Sequence, residues 1–199
     1  MTMFLLFCLG INKNKISIYF ESCEFILCNT NFMIKKGRNQ LIPAIKSLFQ
    51  ACIAHMESQG IVQWHEDYPA IENIRRDIER EDLYYVGEGG EVLATITLND
   101  EQDTQYQDIA WNCKKGKILV VHRLATHPAH QGKGLAQHLM TFAEDYAREN
   151  GYAAIRLDAY ETNPHSQRFY RKMGYVQTGY VKFEYQQFRC TALEKIVVT

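Results

Sequence analysis

The chain lacks the cysteine spacing of zinc-binding and disulfide-rich proteins and the charge excess of proteins that bind nucleic acid. Its six cysteines include no C-x-x-C pair, so the spacing typical of a zinc site is missing. Over 199 residues they do not form the pattern of a disulfide framework either, and we interpret them as free thiols in a reducing cytoplasm. The net charge of -1 offers no excess of either sign that would attract nucleic acid or an anionic membrane.

The chain also lacks a hydrophobic run long enough to cross a membrane. Residues 1–11 are apolar but too few to span a bilayer. They have neither the positive flank nor the small-residue cleavage site of a signal peptide. Residues 12–32 are rich in Asn, Ser and Cys and show no helical period. We therefore predict that residues 1–32 are an extension outside the fold and that residues 33–199 form one domain.

Hydrophobic periodicity divides this domain into helices and strands. The apolar spacing predicts helices over residues 39–60, 71–80, 132–150 and 164–174. Runs rich in β-branched and aromatic residues predict strands at residues 33–36, 83–86, 92–98, 118–126, 153–159, 175–185 and 190–198. Residues 99–117 are polar and without a strong pattern, so we interpret them as a loop. Together these elements predict a single α+β domain.

The segment from His127 to Ala136 joins a strong predicted strand to the most regular predicted helix. Its glycines let the backbone approach a ligand closely, and the first amides of the helix have no partner within it. Such a helix start suits an anion such as a diphosphate. A nucleotide P-loop would need Ser or Thr after Lys133, where Gly134 stands, and the dinucleotide fingerprint fails at Gln137.

This segment resembles the coenzyme-binding loop of the GNAT family of acetyltransferases. The sequence Gln131-Gly132-Lys133-Gly134-Leu135-Ala136 is similar to that family's Q/R-x-x-G-x-G/A loop. Residues 122–128 look like the strand that precedes the loop. Residues 163–175 look like the family's N-x-x-x-x-x-F-Y-x-x-x-G-F/Y segment. These likenesses occur in the family's order, and the resemblance covers about residues 33–199.

The resemblance implies an α+β fold of the GNAT acyl-CoA N-acyltransferase type, with a mixed, mostly antiparallel sheet flanked by helices. In this fold two neighbouring strands splay apart, here residues 118–126 and 153–159, and the pantetheine arm lies between them. It also implies acetyl-CoA as the co-substrate. Asn163 matches a position near the pantetheine, and its role as a helix cap explains it equally well. The implied coenzyme-binding residues are Leu124, Thr126, Gln131, Gly132, Lys133, Gly134, Leu135, Ala136 and Asn163.

Acetyl transfer to an amine requires a proton for the departing thiolate and a base for the amine. Tyr170 matches the family's tyrosine that donates the proton, and a pKa of about 10 keeps such a group protonated at neutral pH. A buried aromatic with no catalytic role is the alternative. Some relatives carry a glutamate on the strand before the loop, where this chain has Val120. The candidate base is therefore His122, which lies on the same predicted strand face as Leu124 and Thr126 and whose ordinary pKa of about 6.5 suits proton removal. A structural histidine, Glu66 or water remain as alternatives.

The amine itself is not identified by the sequence. Trp64, Glu66, Asp67 and Tyr68 lie between the first two helices, where this family often shapes its acceptor pocket. Acidic and aromatic side chains there would favour a cationic amine, and ordinary packing is the alternative. The expected partner is a small-molecule or protein amine, with no nucleic acid and no membrane, and pairing into a homodimer through the closing strands stays open.

Two alternatives to a metal-free enzyme are a metal site and a non-catalytic binding module. His127, His130 and His138 are not accompanied by a cysteine or carboxylate that would complete a metal site, so no metal is predicted. The rival to the enzyme hypothesis is a non-catalytic module that binds acyl-CoA as a sensor or docking domain. Such a module would not need an acid at the sulfur, so the presence of Tyr170 favours the enzyme.

Overall fold

The computed structural model describes residues 32–65, 67–183 and 188–197. Its helices are α1 (Ile42–Ser58), α2 (Ile71–Glu79), α3 (Leu135–Glu149) and α4 (Pro164–Lys172). Its strands are β1 (Ile34–Lys36), β2 (Leu83–Val86), β3 (Ala94–Asn99), β4 (Lys117–Thr126), β5 (Tyr152–Tyr160), β6 (Val176–Val181) and β7 (Cys190–Ile196). The predicted extension, residues 1–32, lies outside the described residues apart from Phe32.

The strands form one seven-stranded sheet in the order β1-β2-β3-β4-β5-β7-β6. Neighbouring strands are antiparallel except β4 and β5, which are parallel. Helix α3 packs Leu139, Met140 and Ala143 into a buried cluster with side chains of β3, β4 and β5. This mixed, mostly antiparallel sheet flanked by helices confirms the predicted α+β fold. Among the described helices, none combines the length and apolarity needed to cross a membrane.

Helix α3 begins three residues later than the periodicity predicted, at Leu135 instead of Gly132. Gly132 and Gly134 have φ values of 75° and 80°, in the left-handed region that a right-handed helix excludes. The apolar stripe that predicted the helix is its buried face, which includes Leu135, Leu139 and Met140. The pattern thus identified the helix, while the glycine geometry set its start.

The connection between β3 and β4, residues 100–116, is more ordered than the polar sequence indicated. It contains a 3-10 turn at Thr104–Asp108. Two of its aromatic side chains are core residues, since Tyr106 is 3% exposed and Trp111 is 5% exposed. The scattered aromatic positions gave no periodic signal, so the sequence predicted only a loop.

A β-bulge turns β4 away from β5 in the second half of the strand. The register of β3 against β4 shifts between Thr95 and Thr97, so that Arg123 and Leu124 together face one residue of β3. Arg123 has a φ of 49°, a left-handed conformation uncommon for a residue other than glycine. Within the described residues, the parallel pairing of β4 with β5 covers Lys117–Val120 and stops before the bulge. The two strands therefore part, as the resemblance implied.

The side chain of Arg123 ties this bulge to helix α2. Its Nε and Nη2 donate to Oδ2 of Asp77 at 3.0 and 2.6 Å. The two side chains are only 8% and 3% exposed. The hydroxyl of Thr97 donates to the same oxygen at 3.0 Å. A buried ion pair of this kind is satisfied as long as both partners are present, and removing one leaves an uncompensated buried charge.

Replacing Asp77 with alanine should therefore lower the free energy of unfolding by about 3–5 kcal/mol. Urea unfolding followed by circular dichroism measures this loss. The matched control is Asp145→Ala, which removes an exposed partner of Arg148 on α3. Exposed ion pairs contribute little, so the control should leave the unfolding midpoint almost unchanged. Equal effects of the two substitutions would contradict the importance given to the Arg123–Asp77 pair.

Candidate active site

A groove of about 480 Å³, here called the main groove, opens beside the parted ends of β4 and β5. Several of its lining residues are those predicted to bind the coenzyme, namely Leu124, Thr126, Gln131, Gly132, Gly134, Leu135, Ala136 and Asn163. Lys133 is not in the lining, and its Nζ lies 3.4 Å from Nδ1 of His130. The fold thus brings predicted residues of β4, of residues 131–134 (here called the glycine loop), of α3 and of the start of α4 to one groove.

The glycine loop offers backbone donors to this groove. At Gly132 and Gly134 no described atom beyond the adjacent residues lies within 4 Å of the place where a Cβ would stand. The amide of His138 donates to the carbonyl oxygen of Gly134 at 2.9 Å. The amides of residues 135–137 precede this bond and have no partner within the helix. Together with the helix dipole, they fit an anion such as a diphosphate.

Two polar side chains of the main groove differ in how far their hydrogen-bonding groups are satisfied. Oγ1 of Thr126 is buried and has no hydrogen-bond partner among the described residues, although buried hydroxyls are normally satisfied. Oδ1 of Asn163 accepts hydrogen bonds from the amides of His165 and Ser166, each at 3.2 Å, as a helix cap does. Nδ2 of Asn163 donates to Oε1 of Gln63 at 3.0 Å. Thr126 therefore has an unused hydrogen-bonding group, whereas Asn163 is already engaged.

Tyr170 lies on α4 with its side chain buried at the main groove. Its ring packs edge-on against Phe169 and Tyr175, with centroid distances of 5.2 and 5.9 Å. Burial, with a smaller contribution from the charge of Asp158, raises the pKa of Tyr170 well above its ordinary value. The hydroxyl therefore keeps its proton at neutral pH and is able to donate it.

A second cavity of about 90 Å³, here called the inner cavity, adjoins the main groove. Leu124, Asp158 and Tyr170 line both cavities. The inner cavity is also lined by Asp103 and by Arg123, whose guanidinium is bonded to Asp77. Neither Asp103 nor Asp158 forms an ion pair with a residue of the described chain. The inner cavity thus carries carboxylates that form no direct ion pair with a cationic side chain in the described part of the chain.

His122, the base suggested by the sequence, lines the inner cavity. Its Nε2 lies 3.0 Å from Oδ1 of Asn99. Burial, reinforced by the positive charge of Arg123, lowers the pKa of His122 to about 4. The imidazole is therefore neutral at pH 7 and a weak proton acceptor. Its role as the base stays a prediction.

Asp158, near the end of β5, is a candidate that the sequence analysis did not single out. Its Oδ2 accepts a hydrogen bond from the hydroxyl of Tyr106 at 2.8 Å. Burial raises the pKa of Asp158, while the hydrogen bonds from Tyr106 and Cys190 act in the opposite direction. In the sequence this residue appeared only as a polar position of an alternating strand. A carboxylate at the end of the strand that leads into the Asn163–Tyr175 segment was the available signal.

The predicted acceptor loop is partly at the inner cavity. Trp64 and Tyr68 line it, whereas Asp67 is exposed and does not. The edge of Trp64 also packs against Phe49 of α1, with ring centroids 5.4 Å apart. Glu66 lies outside the described residues. Of the predicted acceptor residues that the structure describes, the aromatic ones, Trp64 and Tyr68, thus line the cavity, whereas the acidic one, Asp67, does not.

The three histidines considered for a metal have other neighbours. Nδ1 of His127 accepts a hydrogen bond from the amide of Ala129 at 3.3 Å. Nε2 of His138 lies 2.7 Å from the carbonyl oxygen of Phe32. In the described ranges, no three side chains of His, Cys, Asp or Glu are grouped as a metal site requires.

The sequence matches the profile of the acetyltransferase (GNAT) family over residues 45–175. It is 34% identical over 77 residues to a streptothricin acetyltransferase of Streptomyces lavendulae. That match spans 39% of this chain and 39% of the relative, so it covers well under two thirds of the relative's length.

Solved structures share the fold over most of the chain. A GNAT family acetyltransferase from Streptococcus agalactiae superposes with a TM-score of 0.72 and 26% identity, over 84% of this chain and 96% of the other. The structure of YncA from Salmonella typhimurium, solved with its cofactor acetyl-CoA, superposes with a TM-score of 0.62 and 18% identity. The superposition covers 85% of this chain and 96% of YncA. At 18% identity this likeness concerns the fold alone. This chain belongs to the acetyltransferase (GNAT) family, as its glycine loop and its Asn163–Tyr175 segment had indicated.

Proposed function

We propose that the protein is an N-acetyltransferase that moves the acetyl group of acetyl-CoA to a primary amine by direct attack. The observation that carries this proposal is that Leu124, Asp158 and Tyr170 line both the main groove and the inner cavity. A thioester held in the groove and an amine held in the cavity would meet at this common wall. Residues 33–199 are proposed as the catalytic domain, with residues 1–32 as an extension.

The coenzyme is assigned to the main groove. The backbone from Gln131 to Ala136 would surround the diphosphate, which the amides at the start of α3 would bind because they have no partner within the helix, with the charge of Lys133 nearby. The strand edge at Leu124 and Thr126, which β5 leaves unpaired beyond the bulge, would pair with the amides of the pantetheine arm. The unsatisfied hydroxyl of Thr126 supports a polar occupant there. Asn163 would contribute through its side-chain amide after exchanging its bond to Gln63.

Acetyl-CoA supplies an activated acetyl group as a thioester. As the amine nitrogen attacks the carbonyl carbon, a C–N bond forms and the C–S bond breaks. An amine that arrives protonated first loses one proton to solvent, since only the neutral nitrogen attacks. The attacking nitrogen then loses a second proton to a base of the protein, and the departing sulfur takes the proton of the Tyr170 hydroxyl. The position of Tyr170 at the wall common to both cavities supports this donor role, and its hydroxyl is protonated at neutral pH.

The base is assigned to Asp158 in preference to His122. Asp158 lines both cavities, whereas His122 lines only the inner one. The raised pKa of Asp158 makes it a stronger proton acceptor than an ordinary aspartate, and the pKa of about 4 makes His122 a weaker one than an ordinary histidine. Both effects have the same cause, because burial disfavours whichever form is charged.

The charge of the inner cavity supports a cationic acceptor. Asp103 and Asp158 line it without ion-pair partners in the described chain, and the guanidinium of Arg123 is already paired with Asp77. The aromatic faces of Trp64 and Tyr68 would attract an ammonium group further. A volume of about 90 Å³ admits a slender alkylamine and excludes a bulky ring at the reacting end. The proposed acceptor is therefore an unbranched aliphatic amine that is protonated in solution.

The test is thiol release from acetyl-CoA in the presence of a panel of amines. Lysine amide, cadaverine and streptothricin should give saturable release of free thiol, while amines flanked by carboxylates, such as glutamate, should be poor acceptors. Mass spectrometry of the product verifies one added acetyl group. Saturable coenzyme binding in calorimetry with no thiol release on any amine would instead support the non-catalytic sensor.

A further inference from the structure

Tyr106 is a core residue of the β3–β4 connection that is hydrogen-bonded to the proposed base, Asp158. It lies in the 3-10 turn at Thr104–Asp108, and its ring belongs to a buried cluster with Trp111. Its hydroxyl donates to Oδ2 of Asp158 at 2.8 Å. Because the tyrosine is 3% exposed, water has little access to compete for this hydrogen bond.

The position of Tyr106 is set by Trp111. Nε1 of Trp111 donates to the carbonyl oxygen of Tyr106 at 2.9 Å, and the two ring centroids are 5.2 Å apart. The guanidinium of Arg156 on β5 lies over the ring of Trp111 at 4.3 Å from its centroid. The two aromatic residues are therefore packed against the same strand that carries Asp158.

A buried ion pair fastens this connection to the sheet. Nε of Arg156 donates to Oε1 of Glu194 on β7 at 3.0 Å, and these side chains are 9% and 1% exposed. Oε2 of Glu194 accepts the amides of Asn112 and Cys113 at 2.7 and 3.0 Å. The remaining guanidinium nitrogens donate to Oε1 of Gln102 and to the carbonyl oxygen of Cys113. With its charges and donors satisfied, the pair holds both ends of the connection rigidly.

We propose that Tyr106 is a positioning residue for catalysis, whose hydroxyl holds the carboxylate of Asp158 toward the acceptor amine. The proposal rests on the proposed function, in which Asp158 is the base. A hydrogen bond donated to one carboxylate oxygen restricts rotation about the Cβ–Cγ bond and so fixes the direction in which the carboxylate faces the amine. Tyr106 itself lines neither cavity, so it acts on the amine only through Asp158.

The effect on protonation follows from the surroundings of Asp158. Burial raises the pKa of Asp158, and the negative charge of Asp103 raises it further, while the hydrogen bonds from Tyr106 and Cys190 lower it. Removing the Tyr106 hydroxyl would therefore raise this pKa and leave less of the active carboxylate form at neutral pH. The titratable or charged groups that face Asp158 or line the same cavity are Tyr106, Cys190, Asp103, Tyr170, His122, Arg123 and Tyr68.

The experiment is the pH dependence of kcat/KM for the full chain and for Tyr106→Phe, with acetyl-CoA and the best amine of the panel. The acidic limb of the profile should move to higher pH in the variant, and kcat at pH 7 should fall about tenfold. The KM for acetyl-CoA should stay the same, because the hydroxyl does not reach the main groove lining. In the background of Asp158→Asn, the same substitution should cause no further loss of kcat.

The control is Tyr84→Phe, which removes the hydroxyl of another buried tyrosine, on β2, in a different cluster. It should leave the acidic limb in place. If Tyr106→Phe lowers thermal stability or kcat without moving the limb, the tyrosine is merely structural and the proposal is overturned. Failure of the proposed function is separate, since the parent chain itself would then show no thiol release with any amine.

Discussion

Replacing Tyr170 with phenylalanine should lower kcat by about 10²–10⁴-fold, the usual contribution of a general acid. The substitution removes the only proton that the ring offers to the departing sulfur and keeps the buried ring itself. The affinity for acetyl-CoA should change little, because the proposed diphosphate and pantetheine contacts lie elsewhere in the groove. Stopped-flow or steady-state thiol release gives kcat, and calorimetry with coenzyme A gives the affinity.

The matched control is Tyr175→Phe. Tyr175 is buried beside Tyr170, and its hydroxyl has no hydrogen-bond partner among the described residues. Its removal should leave both kcat and coenzyme affinity close to those of the parent chain. Should Tyr170→Phe retain the turnover of the parent, the departing thiolate does not need this proton and the acid role is wrong.

Replacing Asp158 with asparagine should also lower kcat/KM by about 10²–10⁴-fold at pH 7. Asparagine keeps the size of the side chain and an oxygen that accepts the Tyr106 hydrogen bond, but it cannot take a proton from the amine. In the parent chain, kcat/KM should fall as the pH drops through the pKa of Asp158, because only the ionised carboxylate is active. Burial raises that pKa, so the limb should lie above the range of an ordinary aspartate. In the variant this limb should be absent.

Two further variants separate Asp158 from its alternatives. Asp108→Asn neutralises an exposed carboxylate of the same β3–β4 connection and should leave the profile unchanged. His122→Leu should leave the acidic limb in place if Asp158 is the base. If the acidic limb is absent in His122→Leu but present in Asp158→Asn, the base is His122 and the assignment to Asp158 is wrong.

The grouping of the proposed coenzyme-binding residues around one groove was predictable because its signals are local in the chain. A diphosphate site needs a strand, a few glycines and the first turn of a helix, and these are consecutive from His122 to Leu139. The same is true of the Asn163 cap and Tyr170, which belong to one short helix. Local motifs of this kind survive in the sequence as fixed spacings. Only the exact start of α3 needed the backbone geometry of Gly132 and Gly134.

The acceptor side was not predictable in the same way. Tyr106 and Asp158 are 52 residues apart in the chain, and Asp77 and Arg123 are 46 apart. Neither pair has a spacing that a motif or a period would reveal. The polar sequence of residues 99–117 concealed an aromatic pair that packs in the core. The sequence suggested His122 from its strand face, but only the surrounding burial shows that the imidazole is a weak base.

The sequence alone determined the α+β class and the presence of a glycine-rich helix start that suits a diphosphate, because periodicity and glycine spacing act over a few residues. The splayed strands were implied by the resemblance to the GNAT family. The tertiary structure decided which ionisable groups meet where the main groove adjoins the inner cavity, and in which direction burial and neighbouring charges shift their pKa values. These properties depend on burial and on partners brought together by the sheet and its long connection. Desolvation in particular has no counterpart in the linear chain, since it exists only once the surrounding residues have packed.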